Sequence, residues 1–106
     1  MIPLAESRTM SWKLSGAEPT EQLVRLHHFA ITRRQAEGDI EFLITIREHA
    51  TPQQRGMHFY AETDKQTNQN TAPFTPCGWG SSLEAALEQC IIAIRRFPYE
   101  GPIADR

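Results

Sequence analysis

The chain has 106 residues, a formal net charge of -2 and 23% charged residues. That is the size of one domain with a single modest core that needs no disulfide or metal staple. So even a balance excludes a strongly basic nucleic-acid footprint and a polybasic membrane tail, and no apolar run approaches the ~20 residues of a membrane span.

The opening Met-Ile-Pro-Leu-Ala-Glu-Ser-Arg lacks the basic-then-apolar order of a secretory signal. Two cysteines, Cys77 and Cys90, have twelve residues between them, which matches no zinc spacing and no disulfide scaffold. A reducing, cytoplasmic setting is the expectation, with no cofactor.

In residues 1–20, Pro3, Gly16 and Pro19 punctuate a mixed segment, and the alternation of Met10, Trp12 and Leu14 predicts a short edge strand. Residues 21–34 can be read as helix or strand. The helix reading smears the apolar residues over more than half the circumference. A strand over about Val24–Arg34 is preferred, with Phe29 and Ile31 on one side and Leu26 and Ala30 on the other. Gln35–Asp39 has the composition of a hairpin turn. The strand that follows is the clearest in the chain: Ile40, Phe42, Ile44 and Ile46 point one way, Glu41, Thr45 and Arg47 the other. Met57–Thr63 reads as a third strand with Met57, Phe59 and Ala61 inward. Residues 64–71 are polar and expected to be mobile. Phe74 and Trp79 fall in a short edge strand, where Pro73 and Pro76 are tolerable.

The last element is a helix over about 82–97. Leu83, Ala86, Leu87, Cys90, Ile91, Ile94 and Phe97 share one face. Ser81 and Glu84 have capping-box spacing, Arg95 and Arg96 complement the dipole, and Pro98 stops the helix. The tail 98–106 is expected to fray. The fold class is therefore α+β: one domain, an antiparallel sheet of three to five strands backed on one face by the C-terminal helix.

Gly78-x-Gly80-Ser-Ser-x-x-x-Ala86, entering a helix straight after antiparallel strands, resembles the end of double-stranded-RNA-binding domains and of HicB-like antitoxins. The resemblance covers about twenty residues and implies a shared sheet-and-helix arrangement, dsRBD-like in form. The RNA-binding members carry lysines at the helix start, where this chain has Leu83 and Glu84, with Glu88 one turn later. A carboxylate there repels phosphate, so no duplex-RNA binding is expected, and the shared fold carries no function across.

Three functional readings compete. Leu43 and Tyr60, with Arg47 between them in sequence and Leu26 nearby, give the sheet a second face that is not cleanly polar. Trp79, between two glycines, either caps the core or joins that surface. A protein-binding module with Leu43, Arg47, Tyr60 and Trp79 as its contact residues, self-associating into a homodimer through that face or through a strand edge, is the leading reading. The N-terminal segment, with Trp12 and Leu14, is the competing cover for that face. Arg25, Arg33, Arg34, Arg47 and Arg55, with His58 and Tyr60, could instead form a nucleic-acid face, but Glu41, Glu48 and Glu62 interleave with them. A thiol enzyme on Cys77, with His28 or His58 as base, is the third reading, and no catalytic motif supports it. Of His27, His28, His49 and His58, the first two point to opposite faces, which argues against a metal site.

Overall fold

Alternation of apolar and polar residues along two long segments, joined by a two-residue loop, produces the hairpin that dominates the molecule. Residues 12–14, 16–51 and 53–103 are described by the computed structural model. Strand β1 spans Val24–Gln35 and β2 spans Gly38–His49, each of 12 residues. At ~3.4 Å per residue the hairpin is about 40 Å long. Its register runs unbroken from Val24↔His49 to Gln35↔Gly38, so the strand reading of residues 21–34 holds. Ala36 and Glu37 form the loop, and Gly38, at φ 146, supplies a backbone conformation that side chains disfavour.

Strand β3 (Phe59–Thr63) pairs with Ile44–Glu48 of β2, and β4 (Cys77–Gly80) pairs with β3. The sheet is four-stranded, antiparallel throughout, in the order β1-β2-β3-β4. Helix α1 spans Leu83–Arg96 and covers one face. The arrangement is α+β, as the sequence predicts.

The core lies between α1 and the side of the sheet carrying Ile40, Phe42, Ile44, Ile46 and Ala61, all buried. The helix contributes Ala86, Cys90, Ala93 and Ile94. Leu83, Leu87 and Ile91 are only partly buried, packed at the border of this core. The small residues face inward because the helix rests directly on β4: a Cβ on Gly78 would lie 2.6 Å from Gln89 Cβ and 2.8 Å from Cys90 N. The centre of the buried stripe is thus Ala86–Cys90–Ile94 rather than Leu87.

Several local expectations differ. The N-cap is Ser82, whose Oγ accepts from Ala85 N at 3.1 Å. With Ala85 at the third helical position there is no carboxylate to complete a capping box, and Ser81 is exposed. The other end of the helix has a partner that sequence spacing does not reveal. Arg33 of β1 donates from Nη1 to Ile94 O at 2.8 Å and to Phe97 O at 2.7 Å. A guanidinium at unsatisfied C-terminal carbonyls joins charge to hydrogen bonding where the dipole is negative.

The tail does not fray over residues 98–103. Tyr99 is buried, stands edge-on to Phe42 with ring centroids 6.0 Å apart, and donates from its hydroxyl to Pro102 O at 2.6 Å. Gln35 brackets its backbone, accepting from Tyr99 N at 2.9 Å and donating to Tyr99 O at 3.0 Å. Residues 104–106 lie outside the described residues. The polar segment after β3 is likewise held. Asp64 accepts from Leu43 N at 2.9 Å, Thr67 bridges Phe74, and Asn68 N donates to Pro98 O at 2.9 Å. Phe74 therefore sits outside the edge strand that holds Trp79. Trp12–Leu14 is a 3-10 turn, not a strand, and Met10 lies outside the described residues. Among the described residues no helix is long and apolar enough to cross a membrane.

Candidate functional site on the open sheet face

The face opposite α1 is read directly from the register. Leu26 pairs with Arg47, Arg47 with Tyr60, and Tyr60 with Trp79. Those four residues form one row across all four strands, so three of the predicted site residues, Arg47, Tyr60 and Trp79, come together. Leu43, the fourth, lies two rows away beside Ala30, on the same face and 49% exposed. Leu26, also on this face, is 47% exposed. The next row is His28–Thr45–Glu62–Cys77.

The aromatic end of the site is the more ordered. The Trp79 ring lies 4.7 Å from that of Tyr60, tilted by 45°, and 6.2 Å from that of His49, nearly parallel at 21°. Trp79 is half-buried in this cluster rather than set into the core beneath the helix. Burial pushes the Tyr60 hydroxyl well above its ordinary value, and the neighbouring Cys77 thiol and Glu62 carboxylate add to the rise. Tyr60 is therefore a hydrogen-bond donor at neutral pH, not a base. His49 is shifted the other way: burial, then the nearby Arg47 and His58, hold its imidazole below the usual value and keep it neutral. Its Nδ1 is buried without a hydrogen-bond partner.

The thiol reading finds neither of its candidate histidines beside Cys77. His28 and Cys77 share a row but lie at opposite ends of it, three strand spacings or about 14 Å apart. His58 sits before β3, its Nδ1 2.9 Å from His49 O. Cys77 has Tyr60 and Glu62 as its ionisable neighbours. Cys90 is buried in the core, where desolvation first, then Cys77 and Glu62, push its thiol up to about 12.

The arginines do not assemble on one face. Arg33 is taken up by the helix C-terminus, and Arg25 alternates with it on the helix side. Arg34 and Arg47 lie on the open face, Arg34 beside Asp39 at 3.5 Å; Arg55 sits in a turn at φ 53. Of the interleaved acids, Glu41 and Glu62 share the open face. Glu48 is on the helix side, 2.9 Å from His27 Nε2 and 3.7 Å from Lys13 Nζ. His27 and His28 do point to opposite faces. Among the described residues no cluster of His, Cys, Asp and Glu is placed to hold a metal ion. Lys13, beside Trp12, reaches Glu48 on the helix side of the sheet at 3.7 Å.

Sequence reasoning weighed Glu62 only as an acid among the arginines and His49 only as a metal ligand, not as members of this site. The signal was present, because both share the strand parity of Arg47 and Tyr60. Comparison with protein-family models, with curated proteins and with solved structures finds no match.

Proposed function

We propose that this chain is a non-enzymatic interaction domain that receives a protein partner on its open sheet face and works as a homodimer. The observation that carries the reading is the row Leu26–Arg47–Tyr60–Trp79, in register across the sheet on the face opposite α1. Arginine, tyrosine and tryptophan on a rigid sheet are the residue types that dominate protein-binding hot spots. Neither candidate histidine stands beside the thiol and the arginines are dispersed, so the enzymatic and nucleic-acid readings have less support. Glu84 and Glu88 at the start of α1 oppose phosphate, so duplex RNA is not a ligand of this reading.

The test is differential capture. Proteins retained from native-host extract by the wild-type chain are compared by mass spectrometry with those retained by Arg47→Glu and Trp79→Ala. A partner of the open face is lost from both variants and kept by Glu88→Lys, a control on the helix. A protein retained equally by all four counts against the reading, as does micromolar duplex-RNA binding at physiological salt.

A further inference from the structure

The sheet has two edges, and they are unlike. Strand β4 is 4 residues long and Pro76, just before it, cannot donate. Strand β1 is 12 residues long with no proline, and its register shows no bulge. Natural sheets blunt their edges with such devices and with charge; the charges of β1, Arg25, Arg33 and Arg34, stand near its two ends, and the uncharged middle Phe29–Thr32 is left as a template for pairing.

The backbone groups on that edge can be assigned. Leu43 O accepts from Asp64 N at 3.0 Å and His49 N donates to His58 O at 2.7 Å, so odd-numbered β2 residues turn their peptide groups toward β3. Even-numbered ones turn toward β1, as Ala50 N does in donating to Leu23 O at 3.2 Å. Their β1 partners are the odd residues Arg25 to Gln35. Peptide groups of Leu26, His28, Ala30 and Thr32 therefore point outward, and among the described residues no strand pairs with them.

The exposed apolar residues cluster on this same strand. Helix α1 rests over β3 and β4, leaving Phe29 of β1 37% exposed on the helix side. On the open side Ala30 is exposed and stands beside Leu43.

We propose that β1 pairs antiparallel with β1 of a second copy about a two-fold axis at Ala30, joining two sheets into one of eight strands. The inference rests on the homodimer in the reading above and assigns its contact to the edge, leaving the open face for the other partner. An axis on any residue of β1 matches outward peptide groups with outward peptide groups, and an axis on Ala30 makes Ala30 itself the central hydrogen-bonded pair. It places Phe29 against Ile31 of the second copy, twice by symmetry, so the rows Ile44–Phe29 and Phe42–Ile31 become continuous across the contact. On the open side the row reads Leu43–Ala30, then Ala30–Leu43 of the second copy. Arg25 meets Gln35, and Arg34 meets Leu26. An axis on Phe29 would set Arg25 directly against Arg33, and like charges opposite one another are destabilising.

Sedimentation of the full chain at tens of micromolar should give a dimer. Ala30→Pro removes both N–H donors of the central pair while breaking no bond to β2. The dissociation constant should rise about ten- to a hundredfold, with the circular dichroism spectrum unchanged. Amide exchange of the wild type reads the same contact without a mutation: Leu26, His28, Ala30 and Thr32 should be slow when concentrated and fast when dilute. A monomer at this concentration, or fast exchange of those four amides in the dimer, overturns the proposal. A dimer kept by Ala30→Pro and lost in Trp79→Ala also overturns it, by assigning self-association to the open face. Loss of the captured partner in Trp79→Ala, with the dimer intact, supports both readings.

Discussion

Neighbouring rows on the two faces of the sheet taper in opposite directions. On the helix side the row His27–Ile46–Ala61–Gly78 loses bulk from β1 to β4, and the one beside it ends at Phe59–Gly80. On the open side the row Leu26–Arg47–Tyr60–Trp79 ends at its largest ring. The strands are the same, so the difference lies wholly in which residues alternate. Where side chains shrink, a helix settles onto backbone. Where they grow, a surface of rings and charge is left standing beside β4. The same geometry that lets α1 approach the glycines draws it away from β1, which is why Phe29 is exposed.

The sharpest way to break that contrast is to restore bulk beneath the helix. A Cβ on Gly80 would run into the backbone of Ala86 and lie 2.9 Å from Ala85 Cβ. Backbone cannot rotate aside, so Gly80→Ala should destabilise by about 3 kcal/mol or more, at the upper end of overpacking costs. Equilibrium denaturation measures it. A loss under ~1 kcal/mol would mean that the helix can lift from β4 cheaply.

The next effect separates the middle of the helix contact from its border. Ile94 is 1% exposed, whereas Leu87 is half-buried at the border of the core. Truncating Ile94 to Ala should cost about 2–5 kcal/mol, and Leu87→Ala clearly less, because solvent and neighbours can fill the border site. The reverse order in chemical denaturation would place the helix axis nearer β1.

A smaller effect lies at the helix start. Ser82→Ala deletes the acceptor of Ala85 N and should cost about 0.5–2 kcal/mol, while Ser81→Ala should be close to neutral. If Ser81→Ala is the more costly in the same denaturation series, the helix begins one residue earlier.

Strand parity made much of this legible in the sequence. Alternation in Ile40–Ile46 assigned one face, and every pairing partner inherits its side from that run. Trp79 was ambiguous because a single strand of four residues flanked by glycines has no pattern of its own; only pairing with Tyr60 fixes its side. The helix orientation was missed because periodicity weights large residues, and three of the four buried helix positions, Ala86, Cys90 and Ala93, are small. Arg33, Gln35 and Tyr99 were invisible for another reason. Their contacts join positions more than sixty residues apart, and nothing local in the tail Pro98–Ile103 signals that the hairpin tip will hold it.

The least costly perturbation of the open face is pH. His49 stacks on Trp79 with its Nδ1 buried and unpartnered, and it faces Arg47 on its own strand and His58 from the segment before β3. Burial and those two neighbours lower its folded value below the 6.5 of an unfolded imidazole. Between the two values the unfolded chain binds more protons than the folded one, so stability rises with pH across that window. Above 6.5 both states are neutral at this position and the penalty is absent; as pH falls from 7 toward 5 the unfolded state gains protons and stability is lost. The informative quantity is the difference between wild type and His49→Gln. Denaturation midpoints of the two should converge or cross as pH falls from 7 to 5, with the wild type losing more. A wild type that loses no more than the variant would show that water reaches Nδ1, and that the stacked edge of the site is looser than its ring distances indicate.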